Sequence, residues 1–155
     1  MMLRILLVVS VLFTFTKCKT LIVYGEEVTA LNTSVSGDGI LFVKSWVFSN
    51  TGKKSVRAIA KKNALESVLF EGIPNSSVKR PLVNNPQARE MHRKYFDDLF
   101  SDRGKINRFV SVTSIDSKDI FRVPGGIKYG IKCRIRYKDL QRDLERNHII
   151  EKFGL

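Results

Sequence analysis

The stretch IKYGIKCRIRY, residues 127–137, alternates more cleanly than any other part of the chain. Successive side chains of a strand point to opposite faces, so Tyr129, Ile131, Cys133, Ile135 and Tyr137 fall on one side. Lys128, Gly130, Lys132, Arg134 and Arg136 fall on the other. One side needs a core and the other carries four cations. Strands of that kind build an antiparallel sheet covered by helices on one face, whereas the strands of a parallel sheet read apolar on both faces. The expected fold is α+β: a small antiparallel sheet of about four strands with two to three helices on one face.

The helix that would cover the sheet is SVRAIAKKNALESVLFEG, residues 55–72. Val56, Ile59, Ala60, Ala64, Val68 and Leu69 recur at three- and four-residue steps, which places them on one helical face. Gly72 supplies a C-terminal stop and Pro74 prevents resumption. Before this helix, ILFVKSWVFS (residues 40–49) is rich in branched and aromatic residues and reads as a strand, with Asn50, Thr51 and Gly52 as the turn.

Residues 75–84 read as an irregular connection. Asn85 and Pro86 then open a second helix, cap and first position, that runs to about Phe100. Its stripe of Met91, Tyr95, Phe96, Leu99 and Phe100 has the spacing of a face laid on a hydrophobic layer. Residues 106–115 and 120–123 read as two further strands, with Pro124, Gly125 and Gly126 forming a tight connection to the last one. A final helix over residues 138–147 turns Leu140 and Leu144 inward, and the tail with His148, Ile149, Ile150 and Phe153 docks.

The N-terminus reads as an export signal. Arg4 precedes an apolar-to-mild run from Ile5 to Thr16, followed by Lys17. About a dozen apolar residues suit a signal-peptide core and fall short of the roughly 20 that span a bilayer as a helix. Two processing routes follow. Cys18 stands where a lipoprotein cysteine would be lipidated, although Lys17 and Phe15 depart from the usual small and Leu-like neighbours; alternatively cleavage occurs further on, for instance after Gly25. Residues 18–39, mixed and polar without a sustained period, read as a tether or loosely paired leader. The layout is thus a signal peptide over 1–17, the leader over 18–39 and one α+β domain over 40–155. Cys18 and Cys133 are the only cysteines, so Cys133 is expected as a small core hydrophobe without a disulfide partner.

Twenty-seven Lys and Arg against 15 Asp and Glu give a formal +12, which favours polyanions such as anionic lipid, acidic glycan or nucleic acid. The row of Lys128, Lys132, Arg134 and Arg136, at about 6 to 7 Å intervals, is the candidate anion-binding face. Sheet-type nucleic-acid binders interleave aromatic platforms, and here the aromatics of the strand point to the opposite side. Export also removes nucleic acid from reach, so it is not an expected partner. Catalytic apparatus is sparse. Thr51-Gly52-Lys53-Lys54-Ser55 fails the phosphate-loop pattern, with Val47 where glycine is needed and Lys54 where Ser or Thr is needed. His92 and His148 have no metal-ligand spacing, there is no Gly-x-Ser-x-Gly elbow, and neither Asp97 and Asp98 nor Asp116 and Asp119 are aimed across a cleft. No cofactor, metal site or catalytic residue is expected.

Three pieces carry a resemblance: AIAKKNALESVLFEGIP with the following Arg80-Pro81-Leu82, YFDDLFSDRGKINRFV, and YGIKCRIRYKDLQRDLE ending in IIEKFGL. Together they resemble a group of small exported proteins of Bacteroidetes and are distantly similar to outer-membrane lipoproteins of the LPP-twenty and flagellar type. The resemblance runs from about Ile40 to Leu155. It implies a compact α+β domain at the cell envelope, in the periplasm or on the outer membrane, with an envelope protein as partner and no catalytic residues to carry over. The leading expectation is a non-enzymatic assembly or interaction module. Its rivals are a polyanion binder using the cationic strand and a hydrolase whose site the sequence does not group.

Overall fold

The computed structural model describes residues 21–53, 55–101 and 104–152. The apolar signal run, Cys18 and Phe153 lie outside them. Four strands, β1 (Val23–Ala30), β2 (Ile40–Ser49), β3 (Val110–Val123) and β4 (Gly126–Arg136), form one antiparallel sheet in the order β1-β2-β4-β3. The central pair keeps an unbroken register, from Ile40 opposite Arg136 to Ser49 opposite Ile127. Burial alternates along both strands: Leu41, Val43 and Val47 of β2 and Ile131, Cys133 and Ile135 of β4 are fully buried. The expected α+β fold is present, with Tyr137 starting the last helix instead of ending the strand.

Helix α1 (Val56–Glu66) lies on that buried face and touches all four strands. Ala60 and Ala64, both fully buried, let its backbone approach closely. Asn63 pins the interface, donating from Nδ2 to the Ser45 hydroxyl at 3.0 Å and to the Glu26 carbonyl at 3.3 Å. The helix continues through Ser67–Glu71 as a π-type turn, where the Gly72 N–H donates to the Ser67 carbonyl at 2.7 Å. Such widening absorbs an extra residue, so Ser67, Val68 and Leu69 are all buried in succession. Carbonyls at a helix end need outside donors. Those of Val68 and Leu69 receive the Leu82 and Val83 N–H groups at 3.1 and 2.9 Å, so the connection after the helix is tied down.

Helices α2 (Ala88–Met91), α3 (Arg93–Phe100), α4 (Ile106–Phe109) and α5 (Tyr137–Arg146) complete the layer. The helix expected from Asn85 starts later: Asn85 shapes the turn before it, its side-chain oxygen accepting the Gln87 N–H at 2.9 Å, and α2 begins at Ala88 with Gln87 at its N-cap. His92 then leaves helical geometry, with φ −113° and ψ 32°. The phase restarts at the break. Phe96 and Leu99 are buried while Met91, expected in the same stripe, is 68% exposed. Leu140 and Leu144 of α5 are fully buried, and Ile149 docks behind them.

Three further expectations are corrected. The leader over 18–39 contains β1, which pairs with β2 from Val23 opposite Ser49 to Ala30 opposite Val43. A bulge between Gly25 and Val28 breaks its two-residue period, which hides such a strand from pattern reading. The folded unit therefore includes residues placed ahead of the domain. Residues 106–109 form the turn α4, burying Ile106 and Phe109 three apart, so the strand begins at Val110. The two short strands expected up to Val123 are one, β3, with a register irregularity between Ile115 and Ile120. Asp116 and Asp119 sit in that irregularity, within the strand.

Cys133 is free and wholly buried, as expected of a core hydrophobe. Burial pushes its thiol from an ordinary 9.0 up to about 12, opposed weakly by the charge of Lys61. Above pH 9 the unfolded chain loses this proton and the folded chain keeps it. The contribution is fully present below the unfolded value and is lost as pH rises toward the folded one. Relative to Cys133→Ala, the wild-type protein is expected to lose about 1.4 kcal/mol of stability per pH unit in that interval. Parallel urea midpoints for the two proteins from about pH 9 to about pH 11 would rule this out.

Candidate functional site

Among the described residues the helices leave the other face of the sheet uncovered, and its side chains stand in rows across the four strands. In the first row Tyr24 of β1 opposes Phe48 of β2, which opposes Lys128 of β4, which opposes Phe121 of β3. The Tyr24 and Phe48 rings stack, 5.1 Å between centroids and 24° apart. In the next row Trp46 opposes Gly130. A Cβ at Gly130 would stand 2.8 Å from Trp46 Cζ3 and 2.9 Å from the Asp119 Cβ. Glycine therefore lets the indole lie against the strand beside Asp119. Phe121 tilts onto Trp46 at 5.8 Å and 38°, and the Lys44 and Lys128 ammonium groups each lie 5.4 Å from the Trp46 ring centroid. Beyond them Lys44 opposes Lys132, and Phe42 opposes Arg134.

This arrangement corrects the expectation that aromatics avoid the cationic face: Tyr24, Phe42, Trp46, Phe48 and Phe121 share it with the lysines. The missed signal lay in β2, where Phe42, Lys44, Trp46 and Phe48 occupy alternate positions against buried Leu41, Val43, Ser45 and Val47. Lys44 marks which set faces water.

The cations themselves are largely matched by carboxylates. Lys44 pairs with Asp119 at 2.8 Å, Lys132 with Asp116 at 2.7 Å, Arg136 with Asp139 at 2.7 Å, and Lys128 with Glu26. Of the expected anion-binding row, Arg134 alone makes no ion pair among the described residues. The Lys132 hydrogen bond, with a further one from Ser114, holds the Asp116 carboxyl below its ordinary range, and the same bond raises Lys132. The strand irregularities supply the acids. Glu26 lies in the β1 bulge, and Asp116 and Asp119 lie in the β3 irregularity. Asp119 is 6% exposed, and its Oδ2 is buried without a hydrogen-bond partner among the described residues.

On the helical side, an open cleft of about 550 Å³ is lined by Met91, His92, Tyr95, Asp98, Lys105 and Asn147. Several of its polar groups are already engaged. The Tyr95 hydroxyl donates to Asp143 at 2.8 Å, and burial together with that bond raises its pKa; Lys105 pairs with Asp98 at 3.0 Å. Among the described residues no three His, Cys, Asp or Glu side chains converge as metal ligands would, and no helix is long and apolar enough to cross a membrane. The open sheet face is thus where exposed aromatic rings, charged pairs and an unpartnered buried acceptor coincide. Compared with known protein families, curated proteins and solved structures, the chain gives no match.

Proposed function

We propose that this chain is an exported, non-enzymatic binding module of the cell envelope, acting in assembly or interaction, with the open sheet face as its recognition surface. One observation carries the reading: helices cover one side of the sheet, while Tyr24 and Phe121 on the other remain 48% and 47% exposed beside Phe48 and Trp46. A contiguous aromatic patch left in water marks a site of contact. Export rests on the N-terminal apolar run, and the envelope setting on the resemblance of the helix and closing strand to small exported proteins. The polyanion alternative is less favoured because carboxylates already neutralise most of the row it would use.

Benzoylphenylalanine placed at Phe121 is expected to crosslink a partner in cells, and the same group at Met91, exposed on the helical side, is not. Equal yields from both positions would remove the open face from the account. Intact mass of the protein from the membrane fraction tests export and anchoring together. A diacylglyceryl adduct on Cys18 establishes the anchor, a chain starting beyond Cys18 excludes it, and a chain retaining Met1 refutes export.

A further inference from the structure

The open face is nearly balanced in charge. Lys44, Lys128 and Lys132 are matched by Asp119, Glu26 and Asp116, leaving the Arg134 charge over. A polyanion gains affinity by releasing counterions in proportion to the cations it meets, and each lysine here would bring a carboxylate to the phosphate or sulfate with it.

Ammonium donors and carboxylate acceptors set side by side suit a ligand whose every polar group both donates and accepts, which is the character of a hydroxyl. The rings suit the rest of such a molecule. An aromatic face is negative and attracts the weakly positive C–H bonds that line one side of a sugar ring. Tyr24 and Phe121 stand on opposite edge strands, three strand spacings apart, about 14 Å, so the platform suits a chain of rings better than a single one. Resting on the reading of this face as the recognition surface, we infer that it binds an uncharged polysaccharide chain laid across Tyr24, Phe48, Trp46 and Phe121.

Trp46 is the sole tryptophan and reports on the site directly. With the full chain, at least one of cellohexaose, maltohexaose and chitohexaose is expected to shift its emission saturably. The affinity should change less than about twofold between about 50 and 200 mM salt, where a contact to several phosphates would weaken steeply. Phe121→Ala and Tyr24→Ala, both at exposed positions, should each weaken binding about tenfold, and Arg134→Gln should leave it unchanged. Oligothymidylate or heparin binding that is lost with salt and with Arg134→Gln, without any hexasaccharide response, would overturn the sugar inference and keep the face. Silence of Trp46 toward every probe while position 121 still crosslinks would overturn it in favour of a protein partner. Absence of crosslinks from position 121 together with a silent Trp46 would remove the face, and the sugar inference with it.

Discussion

Gly72→Ala is expected to destabilise the fold by about 2–6 kcal/mol, out of a total of about 5–15 for an ordinary domain. Two independent effects add. Gly72 has φ 82° and ψ 165°, a region essentially closed to residues with a Cβ and worth about 1–3 kcal/mol of strain. The added methyl would also stand 2.3 Å from the Lys79 carbonyl oxygen. That atom belongs to backbone whose neighbours Leu82 and Val83 are hydrogen-bonded to the end of the helix, so it cannot step aside without loosening that contact, a further ~1–3 kcal/mol. Gly52→Ala separates the terms. Its φ is 96° but nothing lies within 4 Å of an added Cβ, so it should cost only about 1–2 kcal/mol of conformational strain. Urea denaturation measures both. A Gly72→Ala midpoint indistinguishable from that of Gly52→Ala would show that the returning segment is not held against the helix.

What sequence reveals about this chain follows periodicity. The strand over Gly126–Arg136 and the helix Val56–Glu66 keep their periods. The strand pairing, the burial of Val56, Ala60 and Ala64 and the terminating Gly72 follow the pattern, while Ile59 is only partly buried and the π-type turn at Ser67–Glu71 shifts the helical phase after it. Strands with a local irregularity did not follow their pattern. The β1 bulge and the β3 irregularity each insert residues that shift the alternation, so one strand read as a leader and another as two pieces. The same irregularities turn Glu26, Asp116 and Asp119 toward the lysines of the open face, which is why a row of cations looked unmatched in a single strand. Alternation within β4 could place Lys128 and Lys132, but their partners come from other strands across an irregular register. The aromatic half of the site was legible in principle. Phe42, Trp46 and Phe48 fall in step with Lys44, and a lysine in the middle of a strand identifies the wet face. Phe121 and Tyr24 required the pairing itself.

The ion pair beneath the aromatic patch gives the second large effect. Lys44→Met is expected to cost about 2–3 kcal/mol, somewhat below the 3–5 found for wholly buried pairs, because the Lys44 side chain is 18% exposed. The loss comes mainly from what remains. Asp119 already has one oxygen without a partner, and without Lys44 its other oxygen loses the 2.8 Å bond as well, leaving a carboxylate in a site that is 6% exposed. Asp119→Leu should cost less, about 1 kcal/mol, since the freed lysine can extend its ammonium into water. The double variant, Lys44→Met with Asp119→Leu, removes the stranded charge and should be more stable than Lys44→Met alone, with a coupling of about 2 kcal/mol. Trp46 loses one flanking cation in every variant lacking Lys44, worth about 0.5–1 kcal/mol, so full recovery is not expected. The asymmetry is the sharp part. If Lys44→Met and Asp119→Leu cost the same and simply add, the pair is an ordinary surface contact. Lys44 would then be free to leave Asp119 for a phosphate or sulfate, and the sugar inference would lose part of the charge pairing that separates it from anion binding.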